Sequence, residues 1–187
     1  MVKVLVLIAP GFEPVEAITP IDFLRRAGAE VTTAAVGHNE LNIKSAHDIT
    51  MKCDVKFESV HTQLYDAIVC PGGMPGTKNL AKDAHVLEAL KAHNDAGKVV
   101  AAICAAPGFV LAEAAQLLKG KNACGYPGSD AKITENGGNK LEDPVVIDGN
   151  IVTSRGPGTA SKFALALIGK LFGDEKANEI GSGTLVL

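Results

Sequence analysis

Basic runs are missing from this chain: no more than two Lys or Arg residues stand side by side, and the formal net charge is −3. A nucleic-acid binder needs a basic patch or stripe to neutralise phosphates, so no nucleic-acid partner is expected. Also missing is any apolar run approaching the ~18 residues that a membrane helix requires, which leaves no membrane association to expect. The sequence passes from Met1 straight into the strand-like VKVLVLIA, without a basic leader or a small-residue cleavage site. The expectation is a cytoplasmic protein. Cysteine is sparse. Cys53, Cys70, Cys104 and Cys124 form no C-x-x-C pair, and no His stands at ligand spacing from them, which argues against a disulfide framework and against zinc. Free cysteines are commonly buried packing residues, and that is the default for each of the four.

What is present fits one domain, residues 1–187, with 47% hydrophobic residues to fill a core. Apolar β-branched runs at 3–9, 30–36, 66–70 and 98–103 predict strands, and amphipathic stretches at 14–27, 85–94 and 105–118 predict helices. Such alternation indicates a mostly parallel sheet with helices on both faces, the α/β sandwich class. Two hairpins are predicted as additions: one within 41–57, the other in PVVIDGNIVTS, where Asp148-Gly149 supplies the turn. A closing helix over 159–171 carries Phe163, Leu167 and Leu171 at four-residue spacing, and Gly173 is placed to stop it.

Ligands of open α/β sheets bind beyond the carboxyl ends of the strands, and three unusual segments fall there: PGFEPVE, PGGMPG and Cys104. Cys104 ends an apolar strand and precedes a helix. Amide dipoles at a helix start favour thiolate, which predicts a lowered pKa, and Ala102, Ala105, Ala106 and Gly108 leave room for a sharp nucleophile-bearing turn. Packing under the following helix is the other reading of the same position. Glu16 lies in the first turn of a helix that Pro14 opens, where a solvated carboxylate is the plain reading. Pro20, four residues on, removes a hydrogen bond to the Glu16 carbonyl and predicts a kink that aims Glu16 into the crevice. Beside a sulfur its pKa should rise, giving a protonated carboxyl that donates to the sulfur, with Glu13 as a competitor for the role. Gly72 and Gly73 fail the P-loop pattern; they read either as a tight turn or as oxyanion donors. Arg155 in TSRGPGT reads as a solvated loop residue or as one aimed at the site or a partner subunit. His38, His47, His61, His85 and His93 fall in hairpin, loop or helix-surface contexts, and none is expected to be catalytic. Cys53, Cys70 and Cys124 read as structural or interfacial.

Together LIAPGFEPVEAITPIDFLRRAG, YDAIVCPGG, VVAAICAAP and VTSRGPGTASKFALALI make the sequence resemble the DJ-1/ThiJ/PfpI family over nearly its whole length. The resemblance implies a flavodoxin-like α/β sandwich, usually a homodimer, with the reactive cysteine on a strained elbow. By position it assigns the oxidisable nucleophile to Cys104, its carboxyl partner to Glu16 and the oxyanion loop to Gly72 and Gly73. Cys53 matches a cysteine near the dimer interface of a relative. Two positions depart: Tyr126 replaces a histidine found near the cysteine, and His47 replaces an arginine. Without that histidine no familiar Cys-His dyad forms, which argues against peptidase activity. The implied function is action on small dicarbonyls such as methylglyoxal, or on glycated-protein adducts, with no cofactor and no metal. The alternative is a redox sensor or chaperone in which Cys104 becomes a sulfinate. Thiamine-precursor synthesis has no residue-level support.

Overall fold

Strand β1 (Lys3–Ile8) points Val4, Val6 and Ile8 one way and Leu5 and Leu7 the other, and all five are fully buried. Successive strand side chains face opposite sides of a sheet, so burial of both sets requires cover on both faces. The computed structural model, which describes residues 1–187, has that cover. β1 is flanked by β2 (Glu30–Ala35) and β6 (Ala67–Cys70); beyond β6 come β7 (Val99–Ile103), β11 (Ile151–Ser154) and β10 (Val145–Asp148). The two-residue β5 (Val55–Lys56) edges β2. Every pairing in this sheet is parallel except β10 with β11.

Helix α1 (Pro14–Arg26) and helix α5 (Ala160–Phe172) cover one face, where Ala17, Ile21, Leu24, Phe163, Leu167 and Ile168 pack with Val4, Val6 and Ile103. The other face holds α2 (Gly76–Lys82), α3 (Ala84–Asp95) and a π-helix, Pro107–Ala114, over Leu5, Leu7, Ile68 and Val100. In chain order the five longer parallel strands β1, β2, β6, β7 and β11 occupy spatial positions 2-1-3-4-5, with the two-residue β5 outside β2. This flavodoxin-like order puts its switch point between β1 and β6, where the connections leave in opposite directions and open a crevice.

The predicted helix over 105–118 is instead a shorter π-helix. Pro107 supplies no N–H, and Gly108 lies so close to Ser129 that a Cβ there would sit 2.1 Å from its carbonyl oxygen. The last turn closes by a bond from Ala115 N–H to Val110 O at 2.8 Å, and Gln116 ends it in the left-handed region at φ 58. The first predicted hairpin is β3 (Asn42–Lys44) with β4 (Thr50–Lys52), antiparallel through Ile43 and Met51. The second is β10–β11, turned at Gly149 (φ 63), but β11 also pairs in parallel with β7 and so belongs to the main sheet rather than being an addition to it. Three helices were not anticipated: α2, α4 (Ala131–Glu135) and α6 (Asp174–Gly183). The short β8 (Asn122–Ala123) and β9 (Asn139–Lys140) pair with each other.

Candidate functional site

Cys104 follows β7 directly and adopts φ 68. A non-glycine residue in this region costs about 1–2 kcal/mol, so its surroundings must impose the conformation. They do so through the backbone: Cys104 N–H donates to Ser154 O at 3.0 Å, and Cys104 O accepts from Tyr126 N–H at 2.7 Å. The side chain is 9% exposed. Such a strained turn between strand and helix holds the sulfur at the end of the sheet.

Glu16 reaches this sulfur from across the switch point. Glu13 caps α1, its carboxylate accepting Glu16 N–H at 2.7 Å, and Pro14 follows at the first helical position. That capping bond occupies Glu13, so Glu13 does not compete for the sulfur. Pro20 sits inside α1, one turn beyond Glu16. The Glu16 side chain is fully buried; Oε2 accepts Gly72 N–H at 3.0 Å, and Oε1 has no hydrogen-bond partner. Burial pushes its pKa up to about 7 and the nearby Glu13 adds to the rise, against hydrogen bonds from Cys104 and Gly72.

The two glycines divide their work. Gly72 N–H is committed to Glu16, whereas the backbone amides of Gly73 and Ala105 favour charge on the Cys104 sulfur, each acting to lower its pKa. The Ala105 amide was not anticipated, although the amide after an elbow nucleophile is a recurring anion donor. A Cβ on Gly72 would lie 2.5 Å from both Cys104 Cβ and Glu16 Oε2, so only glycine fits between the pair. Gly73, at φ 91, passes as close to the backbone of Phe12 and Glu13.

The lowered thiol pKa expected for Cys104 is overturned. Burial pushes it up to about 12, and a charged Glu16 raises it further, outweighing the Gly73 and Ala105 amides. Two of the three raising causes belong to Glu16 as a carboxylate. Once Glu16 carries the proton its repulsion vanishes and its hydrogen bond donates to sulfur, so the pair rather than the thiol is the titrating unit. The remaining cysteines lack these donors. Cys70 is fully buried and pushed up to about 12, Cys53 to about 11, and Cys124 sits buried against Thr153. His93, read as helix-surface, is fully buried: its Nδ1 meets Ala89 O at 2.7 Å and its Nε2 accepts Tyr65 N–H at 3.0 Å. That neutral ring is spent on structure.

The Arg155 guanidinium is paired with Glu142, through its carboxylate at 2.9 Å and its carbonyl at 3.1 Å. It lines a cleft of about 280 Å³ with Tyr126, Pro127, Gly156, Pro157 and Thr159. Thr159 Oγ1 fixes this loop, accepting N–H of Arg155 at 3.2 Å and of Gly156 at 3.1 Å. No three His, Cys, Asp or Glu side chains lie close enough to hold a metal ion. No helix is long and apolar enough to cross a membrane.

The DJ-1/PfpI family model matches residues 2–170. Protein DJ-1 homolog B of Arabidopsis thaliana is 40% identical over 184 residues, 98% of this chain and 41% of the relative; the chain thus spans under half of that protein. A Caenorhabditis elegans protein named glutathione-independent glyoxalase is 37% identical, over 94% of this chain and 92% of its own. The structure of oxidized Toxoplasma gondii DJ-1 superposes with a TM-score of 0.93 at 38% identity, covering 99% of this chain and 98% of that one. Fold, full-length match and similarity above 30% agree: the chain belongs to the DJ-1/PfpI family.

Proposed function

We propose that this protein converts small reactive dicarbonyls, or their early adducts on proteins, to hydroxy acids, with Cys104 as nucleophile and Glu16 as the proton-transferring group. The observation that carries the reading is a cysteine held at positive φ with the buried Glu16 carboxyl packed beside it across Gly72, so closely that a Cβ on that glycine would meet both. The glyoxalase name of the Caenorhabditis elegans relative supports it.

With methylglyoxal, Cys104 sulfur bonds to the aldehyde carbon, and the carbonyl oxygen takes up the thiol proton to give a hemithioacetal. Glu16 carboxylate removes the hydrogen from that carbon as the ketone oxygen takes up a proton, giving an enediol. The hydrogen then returns to the former ketone carbon while the hydroxyl on the sulfur-bearing carbon gives up its proton and becomes the thioester carbonyl. The product is a thioester of lactate. Water cleaves the carbon–sulfur bond, releasing lactate and restoring the thiol. The substrate's aldehyde carbon is oxidised and its ketone carbon reduced, so no external oxidant or cofactor enters. A base with a pKa of about 7 suits such transfers at neutral pH. Gly73 and Ala105 N–H supply the anion-stabilising role first given to the glycine pair, with Gly72 holding Glu16 in place. Cys104→Ser is expected to abolish lactate formation; retention of full activity would sink the mechanism.

A second reading rests on the same donors, and on the oxidized state of the Toxoplasma gondii structure. Two equivalents of peroxide, each reduced to water, would carry Cys104 through sulfenate to sulfinate, stabilised by the amides and by protonated Glu16. Peroxide treatment followed by mass spectrometry separates the readings. Two added oxygens at Cys104 with negligible dicarbonyl turnover favours the sensor. Homodimerisation in a reducing cytoplasm belongs to the proposal as well; half-exposed Val15 and Ile18 of α1 offer apolar side chains for it.

A further inference from the structure

The cleft beside the reactive pair is larger than a three-carbon substrate requires. It is a shallow, open depression of about 280 Å³ at the surface. Its walls include Tyr126, Pro127 and Pro157, and its one cation, Arg155, is already paired with Glu142. An apolar, flat guest suits these walls better than a charged one.

The cleft adjoins the chemistry. Tyr126 N–H donates to Cys104 O at 2.7 Å, while Tyr126 O accepts N–H from Ser129 and Asp130, each at 3.0 Å, so its backbone is fixed on both sides. Its ring lies against Gly156, where a Cβ would sit 3.3 Å from the Tyr126 ring and 3.9 Å from Glu16 Oε1. Gly156 therefore separates the cleft from the unpartnered, fully buried carboxylate oxygen. The tyrosine is 49% exposed and its hydroxyl has no protein hydrogen bond, leaving the ring face as its offering to a ligand.

We propose that Tyr126 is a specificity-determining residue and that the preferred substrates are α-oxoaldehydes bearing an aromatic substituent, whose ring occupies the Tyr126–Pro157 cleft while the aldehyde meets Cys104. The inference rests on the dicarbonyl reading and names its substrate class. With phenylglyoxal as probe, the internal transfer that gives lactate gives mandelate: sulfur adds to the aldehyde, one hydrogen moves from that carbon to the ketone carbon, and water releases the acid.

The test has two arms. In the first, kcat/KM is measured for phenylglyoxal and for methylglyoxal. Wild type is expected to favour phenylglyoxal, Tyr126→Ala to lower the ratio by ~10-fold, and Tyr126→Phe to keep it, because stacking needs the ring and not the hydroxyl. In the second, mandelate and lactate are titrated calorimetrically into Cys104→Ser protein, which performs no chemistry. Mandelate is expected to bind about tenfold tighter, and the added Tyr126→Ala change to erase the difference. Turnover of both aldehydes with a ratio indifferent to Tyr126 overturns this inference and leaves the dicarbonyl reading standing. Turnover of neither overturns the dicarbonyl reading, and the mandelate titration then decides whether the cleft takes an aromatic guest. Equal binding of the two acids counts against the cleft in every case.

Discussion

At the scale of single residues, the proposed chemistry turns on one proton shared by two side chains. Cys104 and Glu16 were legible in the sequence because a strand-end cysteine among alanines and a helix-opening glutamate before an internal proline are unusual placements. The direction of the thiol's shift was not legible, because burial depends on what packs above the sulfur and outweighs the amide dipoles. Ala105 was read only for its small size, although a nucleophile-bearing turn at Cys104 also points to the amide of the residue that follows it. Replacing Glu16 by Gln removes the proton carrier and is expected to lower kcat for methylglyoxal by about 10²–10⁴, read as the rate of lactate formation. Gly72→Ala places a methyl 2.5 Å from both partners. It is expected to lose most activity and to destabilise the fold by about 1–3 kcal/mol, measured by urea unfolding.

Secondary elements bring these residues together. Placing Glu16 requires α1 to start at Pro14 and to dock through Ala17, Ile21 and Leu24, and truncating the fully buried Leu24 to Ala should cost about 2–5 kcal/mol in the same unfolding assay. The periodicity of α1 and α5 was readable because one face is apolar and the other wet. The segment after Cys104 differs from the predicted helix in length and type, since an amphipathic spacing does not distinguish an α-helix from a π-helix, and the Gly108–Ser129 approach is a tertiary constraint. Where that π-helix ends, Gln116 is exposed at φ 58. Gln116→Gly should therefore raise stability by roughly 0.5–1 kcal/mol, the relief of left-handed strain exceeding the added freedom of the unfolded chain.

Across the whole molecule, a mostly parallel sheet covered on both faces was foreseeable from alternation alone, but its 2-1-3-4-5 strand order, and with it the meeting of Glu16 and Cys104, depends on contacts far apart in sequence. The buried pair also ties global stability to pH. Glu16 has its pKa raised from the ordinary 4.5 to about 7, so the folded state holds a proton that the unfolded state releases. Its contribution is complete below pH 4.5 and is lost as pH rises to 7, amounting to roughly 3 kcal/mol. His93 acts in the opposite sense, because burial lowers its pKa and acid favours the unfolded, protonated ring. The difference between wild type and Glu16→Gln isolates the carboxyl. Unfolding curves at pH 5 and pH 8 should show the variant gaining roughly 3 kcal/mol relative to wild type over that interval.

The pH dependence of Cys104 alkylation by iodoacetamide, followed by mass spectrometry in wild type and in Glu16→Gln, probes the shared proton most directly. A coupled pair gives wild-type reactivity rising with a midpoint near 7, as the unit sheds its proton, and a variant midpoint moved above the ~8.5 of a free thiol. A wild-type midpoint at or above ~8.5 that the substitution leaves in place would show an independent thiol, and would contradict the account.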